Sequence, residues 1–315
     1  MGLPLVGQKA IGFRTFFGTW VAPGSNVTFL GPAGVFESTF TENNRVSTLN
    51  AALARCRSGK NDVIIALPGY AETVSSADYA TSLVAGTQLV AVPGLNSTQM
   101  PTLTFSATTS TFLLDVADVL ISGFKFVPSI DAVANYLTVS AAGCKVMDCV
   151  FNCGTSSALD VTNPILVNAG SDDFEFGNNR LFSLSTAVNT NGLLVQGAIQ
   201  GLSIHDNDFD LSISGATSGV IEIGAFAVGQ GRIMRNIIRN RRAAAAVGIR
   251  LADTAGSEGS IYDNYFNLAA DVTVVGGTIS AAGSSNHAWR AFQNFGHDEN
   301  IGTALVGGIG TGTIE

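Results

Sequence analysis

The sequence predicts an all-β fold: a right-handed parallel β-helix of 25–30 residues per coil, closed at its N-terminal end by a short capping helix. Two columns of repeated residues and a shortage of charge carry the prediction. When residues 137–283 are written in rows of 28, one column reads Leu137, Ile165, Leu193, Ile221, Ile249. Two places on, a second reads Val139, Val167, Val195, Ile223, Leu251, with Ile279 expected to continue it, because LTVSAAG (137–143) recurs as GTISAAG (277–283). Apolar residues at i and i+2 mark a strand with one buried face, and their return at a fixed interval marks stacked repeats.

A second strand follows in each row: VMDCVF (146–151), FGNNRLF (176–182), IHDNDF (204–209), IMRNII (233–238), IYDNYF (261–266) and AFQNF (291–295). Its fixed position holds Cys149 and then Asn179, Asn207, Asn236, Asn264 and Asn294, which are expected to form a structural ladder at a tight turn. Asparagine suits that role, since its amide both donates and accepts and its backbone tolerates left-handed dihedrals. Upstream the interval shortens to 25, where ALPG (66–69) returns as AVPG (91–94), and FLLDVADV (112–119) continues the series. Nine or ten coils fit between residues 62 and 315.

Coils stacked about 4.8 Å apart place like residues above like residues, so repeated charges repel. Only 13% of the 315 residues are charged, and Gly numbers 36. Leucine-rich and helical repeats are excluded by the absence of an L-x-x-L-x-L frame and of 3.6-residue periodicity. A net charge of −8 disfavours nucleic acid as a partner. No 18-residue apolar run marks a membrane span. Met1-Gly2-Leu3-Pro4 lacks the basic and apolar regions of a secretory signal, so synthesis in a cytoplasm is expected. Cys56, Cys144, Cys149 and Cys153 match no common metal module. They read as packing residues, with no metal and no cofactor expected.

Four segments follow. Residues 44–60 read as the capping helix, with Val46, Leu49, Leu53 and Cys56 on one side, Asn43, Asn44 or Ser47 as caps and Gly59 as the stop. Residues 61–300 read as the solenoid. Residues 1–43 carry Phe13, Phe16, Phe17, Trp20, Phe29, Phe36 and Phe40, and either lie along the solenoid's flank or bind another subunit. Residues 301–315 read as a last strand or an arm.

The stretch RVSTLNAALARCRSGKNDVIIALPGYAETV (45–74) resembles the leading segment of pectate-lyase-like right-handed β-helix proteins, in which a capping helix runs through a Gly-containing turn into an apolar strand and a Pro-Gly-Tyr-x-Glu turn. The I-x-D-N-x-F rows are similar to the coils of that superfamily, and ALPGYAETV resembles the same segment of phage-encoded virion β-helix proteins, deployed as capsid decoration proteins, fibres and tailspikes, usually as trimers. The resemblance covers about residues 45–295 and implies the fold more than any activity. The W-I-D-H and R-x-P-x-x-R motifs of pectate lyases are absent, as are the N-T-D, G-D-D, G-H-G and R-I-K motifs of polygalacturonases. No catalytic residue is carried over.

If the chain were an enzyme, its carboxylates would come from Asp206, Asp208 and Asp210, beside His205, Asp172, Asp173 and Glu175. The following coil sets Arg235 and Arg239 in register with Asp206 and Asp210, which reads instead as a ladder of alternating charge. Arg232, Arg235, Arg239, Arg241, Arg242 and Arg250 form the one basic concentration. The expected function is a non-enzymatic virion protein of a tailed bacteriophage, a capsid decoration or cement protein, forming homotrimers. Its assembly contacts are expected at Phe13, Phe16, Phe17, Trp20, Phe29, Phe36, Arg241 and Arg242, against a capsid or other virion protein. The alternatives are a tailspike or polysaccharide-degrading enzyme, and a carbohydrate-binding adhesin.

Overall fold

The computed structural model describes residues 25–31, 45–92, 99–184, 187, 189–213, 218–224, 226–241, 247–252, 257–268, 279–281 and 288–298. They form a parallel β-solenoid with almost no helix, about seven turns of which carry all three faces. Three sheets make its faces. The first face has 11 strands, the second nine and the third seven. Successive strands of a face come from successive coils and pair in parallel, as in Lys145–Met147, Glu175–Gly177 and Ser203–His205 on the first face.

The interior is built by like-on-like stacking. On the third face Leu137, Ile165, Leu193, Ile221 and Ile249 are register partners, as are Val139, Val167, Val195, Ile223 and Leu251. All are buried. Ile279 pairs with Ile249 rather than Leu251, whose partner is Ala281. The interval there is 30 residues, so the recurrence of LTVSAAG as GTISAAG is two residues out of structural register. On the second face Phe126 stacks on Phe151 with centroids 4.5 Å apart. Trp289 takes more than its own coil's share of the interior. A Cβ on Gly231 or on Gly259 would lie 2.5 Å from its ring, so both glycines are vacated for it.

Two columns of left-handed residues bend the chain at the ends of the first face. One alternates Asn61, Gly86, Asp118, Gly143, Asp173, Gly201 and then Gln230, all with positive φ. A Cβ on Gly143 would meet the Asp118 Oδ1 at 2.3 Å, and one on Gly201 the Asp173 Oδ1 at 2.2 Å. The side chain of one coil thus fills the space left by the glycine of the next. The other column, between the first and second faces, holds Gly123, Asp148, Asn178, Asp206, Arg235, Asp263 and Gln293, the non-glycines at φ between 53° and 57°.

The residue after that bend turns inward, which places Asn179, Asn207, Asn236, Asn264 and Asn294 in the interior. Each Oδ1 accepts from the backbone N–H of the column residue one coil earlier, from Cys149 onward, at 2.8 to 3.1 Å. Each Nδ2 donates back to a carbonyl of the earlier coil, those of Val146, Phe176, Ile204, Ile233 and Ile261. From Asn179 to Asn264 it also donates to the next Asn Oδ1 at 2.9 to 3.1 Å. The turn's polar groups are satisfied in the interior by one residue type repeated.

The N-terminal end departs from the expected segments. The helix is only Leu49–Leu53, capped by Thr48, whose side chain accepts from Ala51 N. β-Branched Val46 leaves the helix for a two-residue strand, Arg45–Val46, beside Val27–Leu30. Val27–Leu30 in turn pairs in full register with Val63–Ala66. Part of the 1–43 segment is therefore a strand of the first face. Two carboxylates fasten this end. Glu72, from PGYAE, accepts from Leu49 N at 2.7 Å and from the Tyr79 hydroxyl, so the motif holds the helix start. Asp62 is buried and accepts from Asn26 N and from the backbone and guanidinium of Arg57. Burial works to raise its carboxyl, but the Arg57 side chain and the two backbone donors outweigh this and hold it below the usual range.

Candidate functional site

Asp206, Asp208 and Asp210 lie at the bend and on the outward side of the second face. Each is taken up by an arginine of the following coil. Arg235 donates to both oxygens of Asp206, at 2.8 and 2.7 Å. Asp210 is the backbone register partner of Arg239, as the spacing indicates, yet the guanidinium of Arg239 reaches back to Asp208 at 2.6 Å. Asp210 is bound instead by both ends of the Arg241 fork. The long side chains slant the ladder by two residues, a displacement that strand register alone does not specify.

The network extends across the first face. His205 bonds Asp206 Oδ2 through Nδ1 at 2.8 Å and Glu175 Oε1 through Nε2 at 3.0 Å, and Glu175 accepts from Lys145 Nζ at 2.5 Å. Arg235 holds the Asp206 carboxyl below the ordinary range. For Glu175, burial pushes upward, and the bonds from Lys145 and His205 prevail and lower it. A general acid needs a raised carboxyl poised near the working pH. Glu175 and Asp206 are shifted the other way. On the third face Glu222 receives Arg250 at 2.5 Å and Asn191 Nδ2 at 2.7 Å. Asp172 accepts from Gln200 N, and Asp173 occupies the alternating left-handed column.

The cysteines are all free thiols, with Cys144, Cys149 and Cys153 buried. Burial pushes Cys144 up to about 11 and Cys149 to about 12, which removes thiolate character. Among the described residues, no group of three His, Cys, Asp or Glu side chains is placed to hold a metal ion, and no helix is long and apolar enough to cross a membrane.

Of the aromatics assigned to assembly, Phe29 is buried on the first face, packed with Val63, Ile65, Leu67 and Val90. Phe13, Phe16, Phe17, Trp20, Phe36 and Phe40 lie outside the described residues, as do Arg242 and residues 301–315. Arg241 is occupied by Asp210.

Sequence reasoning missed a different surface. Flanking the bend, Met234, Tyr262 and Phe292 are register partners on the first face, and Ile237, Tyr265 and Phe295 on the second. Phe295 is 59% exposed, Phe292 47% and Tyr265 45%. Tyr262 and Phe292 stack with centroids 5.1 Å apart and planes 2° from parallel. In earlier coils the same positions hold Gly177 and His205, and Arg180 and Asp208. The signal was present in the rows IMRNII, IYDNYF and AFQNF, whose outward positions turn apolar where those of IHDNDF are charged.

In comparisons with known proteins, no family model, curated protein or solved structure matches the chain.

Proposed function

We propose that this chain is a non-enzymatic structural protein of a tailed-phage virion, of the capsid decoration or cement kind, acting as a homotrimer. The observation that carries the non-enzymatic part is the pairing of Asp206, Asp208 and Asp210 with Arg235, Arg239 and Arg241. Carboxylates spent on joining coil to coil are poor general acids and nucleophiles. The assembly part is supported by the resemblance of ALPGYAETV to virion β-helix proteins and by an exposed apolar strip on a rigid rod, a feature that marks binding surfaces.

The test is immunogold labelling of particles from the producing culture with antibody against the recombinant protein. Gold spread over capsids is the expected result. Gold confined to the tail tip would replace decoration by a spike, and polysaccharide cleavage would then be assayed with Asp206, Asp208 and Asp210 changed in turn. Unlabelled particles would end the virion reading. Sedimentation equilibrium of the purified chain tests the trimer, and a monomer at micromolar concentration would refute it.

A further inference from the structure

We propose that the strip along the bend of the last three described coils docks a partner protein that presents carboxylates around an apolar centre, with Arg232 and Arg290 as the ionic anchors. This rests on the assembly reading and names the surface and the chemistry of the partner.

The apolar half of the argument is the concentration of exposure. Of the six exposed large apolar residues among those described, four lie on this strip: Ile237, Tyr265, Phe292 and Phe295. The ionic half is a break in an otherwise regular pattern. Arg235, Arg239, Arg241 and Arg250 each meet a carboxylate of the preceding coil. Arg232 and Arg290 are exposed and meet none among the described residues. They share one outward column of the first face, separated by Ser260, and Arg232 and Arg290 stand two residues before Met234 and Phe292. Side chains at i and i+2 point to the same face, so the guanidiniums border the aromatic column.

Charge selects the occupant. A second copy applied about a twofold axis would set Arg232 and Arg290 near themselves, whereas an acidic surface neutralises them; a threefold contact, which could bring Glu258 or Asp263 of another copy to them, is what the sedimentation of Phe295→Ser distinguishes. The centre of the strip selects its class. Ile237 and the rings of Phe292 and Phe295 carry no hydrogen-bonding group, and the face of Tyr262 toward Phe292 is already covered, so the centre is predominantly apolar. Aromatic residues and arginine without lysine are the composition of protein–protein interface centres.

The experiment uses the full-length protein and purified particles from the producing culture, stripped of it, in a sedimentation binding assay. Arg232→Glu/Arg290→Glu and Phe295→Ser are compared with wild type and with Arg232→Lys/Arg290→Lys, each first shown to melt within a few degrees of wild type. Binding at least about tenfold weaker for the Glu and Ser variants, near wild type for the Lys variant and falling with added salt, is expected. Variants that bind as wild type does would overturn the surface while leaving the virion reading intact. A wild-type protein that binds no particle would refute both. A smaller sedimenting species for Phe295→Ser alone would assign the strip to contact between copies and overturn the separate partner. Binding of wild type to polygalacturonate or to oligo-dT that is tighter than to the stripped particles, and is lost in the Glu variant, would reassign it to a polysaccharide or a nucleic acid, and would overturn the proposal too.

Discussion

On the two sides of one bend, the same coil spacing is met by opposite rules. Inside, Asn179, Asn207, Asn236, Asn264 and Asn294 repeat one side chain without alternation. Outside, each carboxylate is met by an unlike group, an arginine of the next coil: Asp206 by Arg235, Asp208 by Arg239 and Asp210 by Arg241. The difference follows from what each group can do with a copy of itself. An amide donates and accepts, so it bonds to its own kind. A carboxylate only accepts, so it needs a partner of another type. Buried bonds of the first kind are costly to leave unmade, whereas exposed ion pairs are worth little. The interior column therefore fixes the stack, and the exposed part of the ladder mainly makes charge tolerable on it, Asp210 being its one buried carboxylate.

Among substitutions that introduce no new charge, the largest effect that sharpens this contrast is expected from Asn236→Ala. It removes the acceptor of Asn207 N and the donor to Ile204 O in the middle of the ladder, and should cost about 3 kcal/mol in chemical denaturation. Next comes Glu222→Gln, on an ion pair whose side chains are only 11% and 19% exposed; it leaves Arg250 partly buried beside a neutral amide and should cost about 2 kcal/mol. A similar loss, about 2 kcal/mol, is expected for Gly201→Ala, since the residue has φ +72 and its new methyl would meet Asp173 Oδ1. Asp208→Asn, on the exposed ladder, should change stability by no more than about 0.5 kcal/mol.

Acid gives a further test of the exterior. The folded carboxyl of Asp206 lies below its usual value, chiefly through Arg235, so its contribution is present above the unfolded value of about 3.9 and is lost as pH falls through the lower folded one. The stability difference between wild type and Arg235→Gln should therefore be small but measurable at pH 7 and should close in that acidic window. A gap that widens on acidification would mean that the pair does not lower Asp206.

The repetitive parts of the molecule were legible in the sequence because stacking makes a three-dimensional relation periodic along the chain. The third-face columns and the position of the asparagines could be read as spacing alone. Features that couple unlike residues of different coils were not legible. The alternation of Asp118 with Gly143 and of Asp173 with Gly201 is a fit of one coil's carboxylate into the next coil's vacancy, and nothing local announces it. The slot that Gly231 and Gly259 leave for Trp289 is of the same kind. At Ile279 the sequence misled, since a literal recurrence of SAAG outranked a two-residue change of interval. The helix was overextended because Val46 fits an amphipathic pattern as well as the strand it joins. At the candidate site, spacing identified the charged ladder but not which arginine serves which aspartate. The apolar strip was hidden by reading its rows only for their asparagines.

The most direct test of the contrast is Asn236→Asp, unfolded in denaturant at pH 7 and again at pH 5. The substitution keeps the shape and the Oδ1 that accepts from Asn207 N and Nδ2, but removes the donors to Ile204 O and Asn264 Oδ1. A carboxylate there faces carbonyl oxygens in the interior, so its folded-state pKa is expected to rise, and protonation restores a donor as pH falls. The account predicts a loss of more than about 3 kcal/mol at pH 7 that shrinks clearly at pH 5. A loss below about 1 kcal/mol at pH 7, or an equal loss at both pH values, would contradict the claim that the interior column holds because each amide donates as well as accepts.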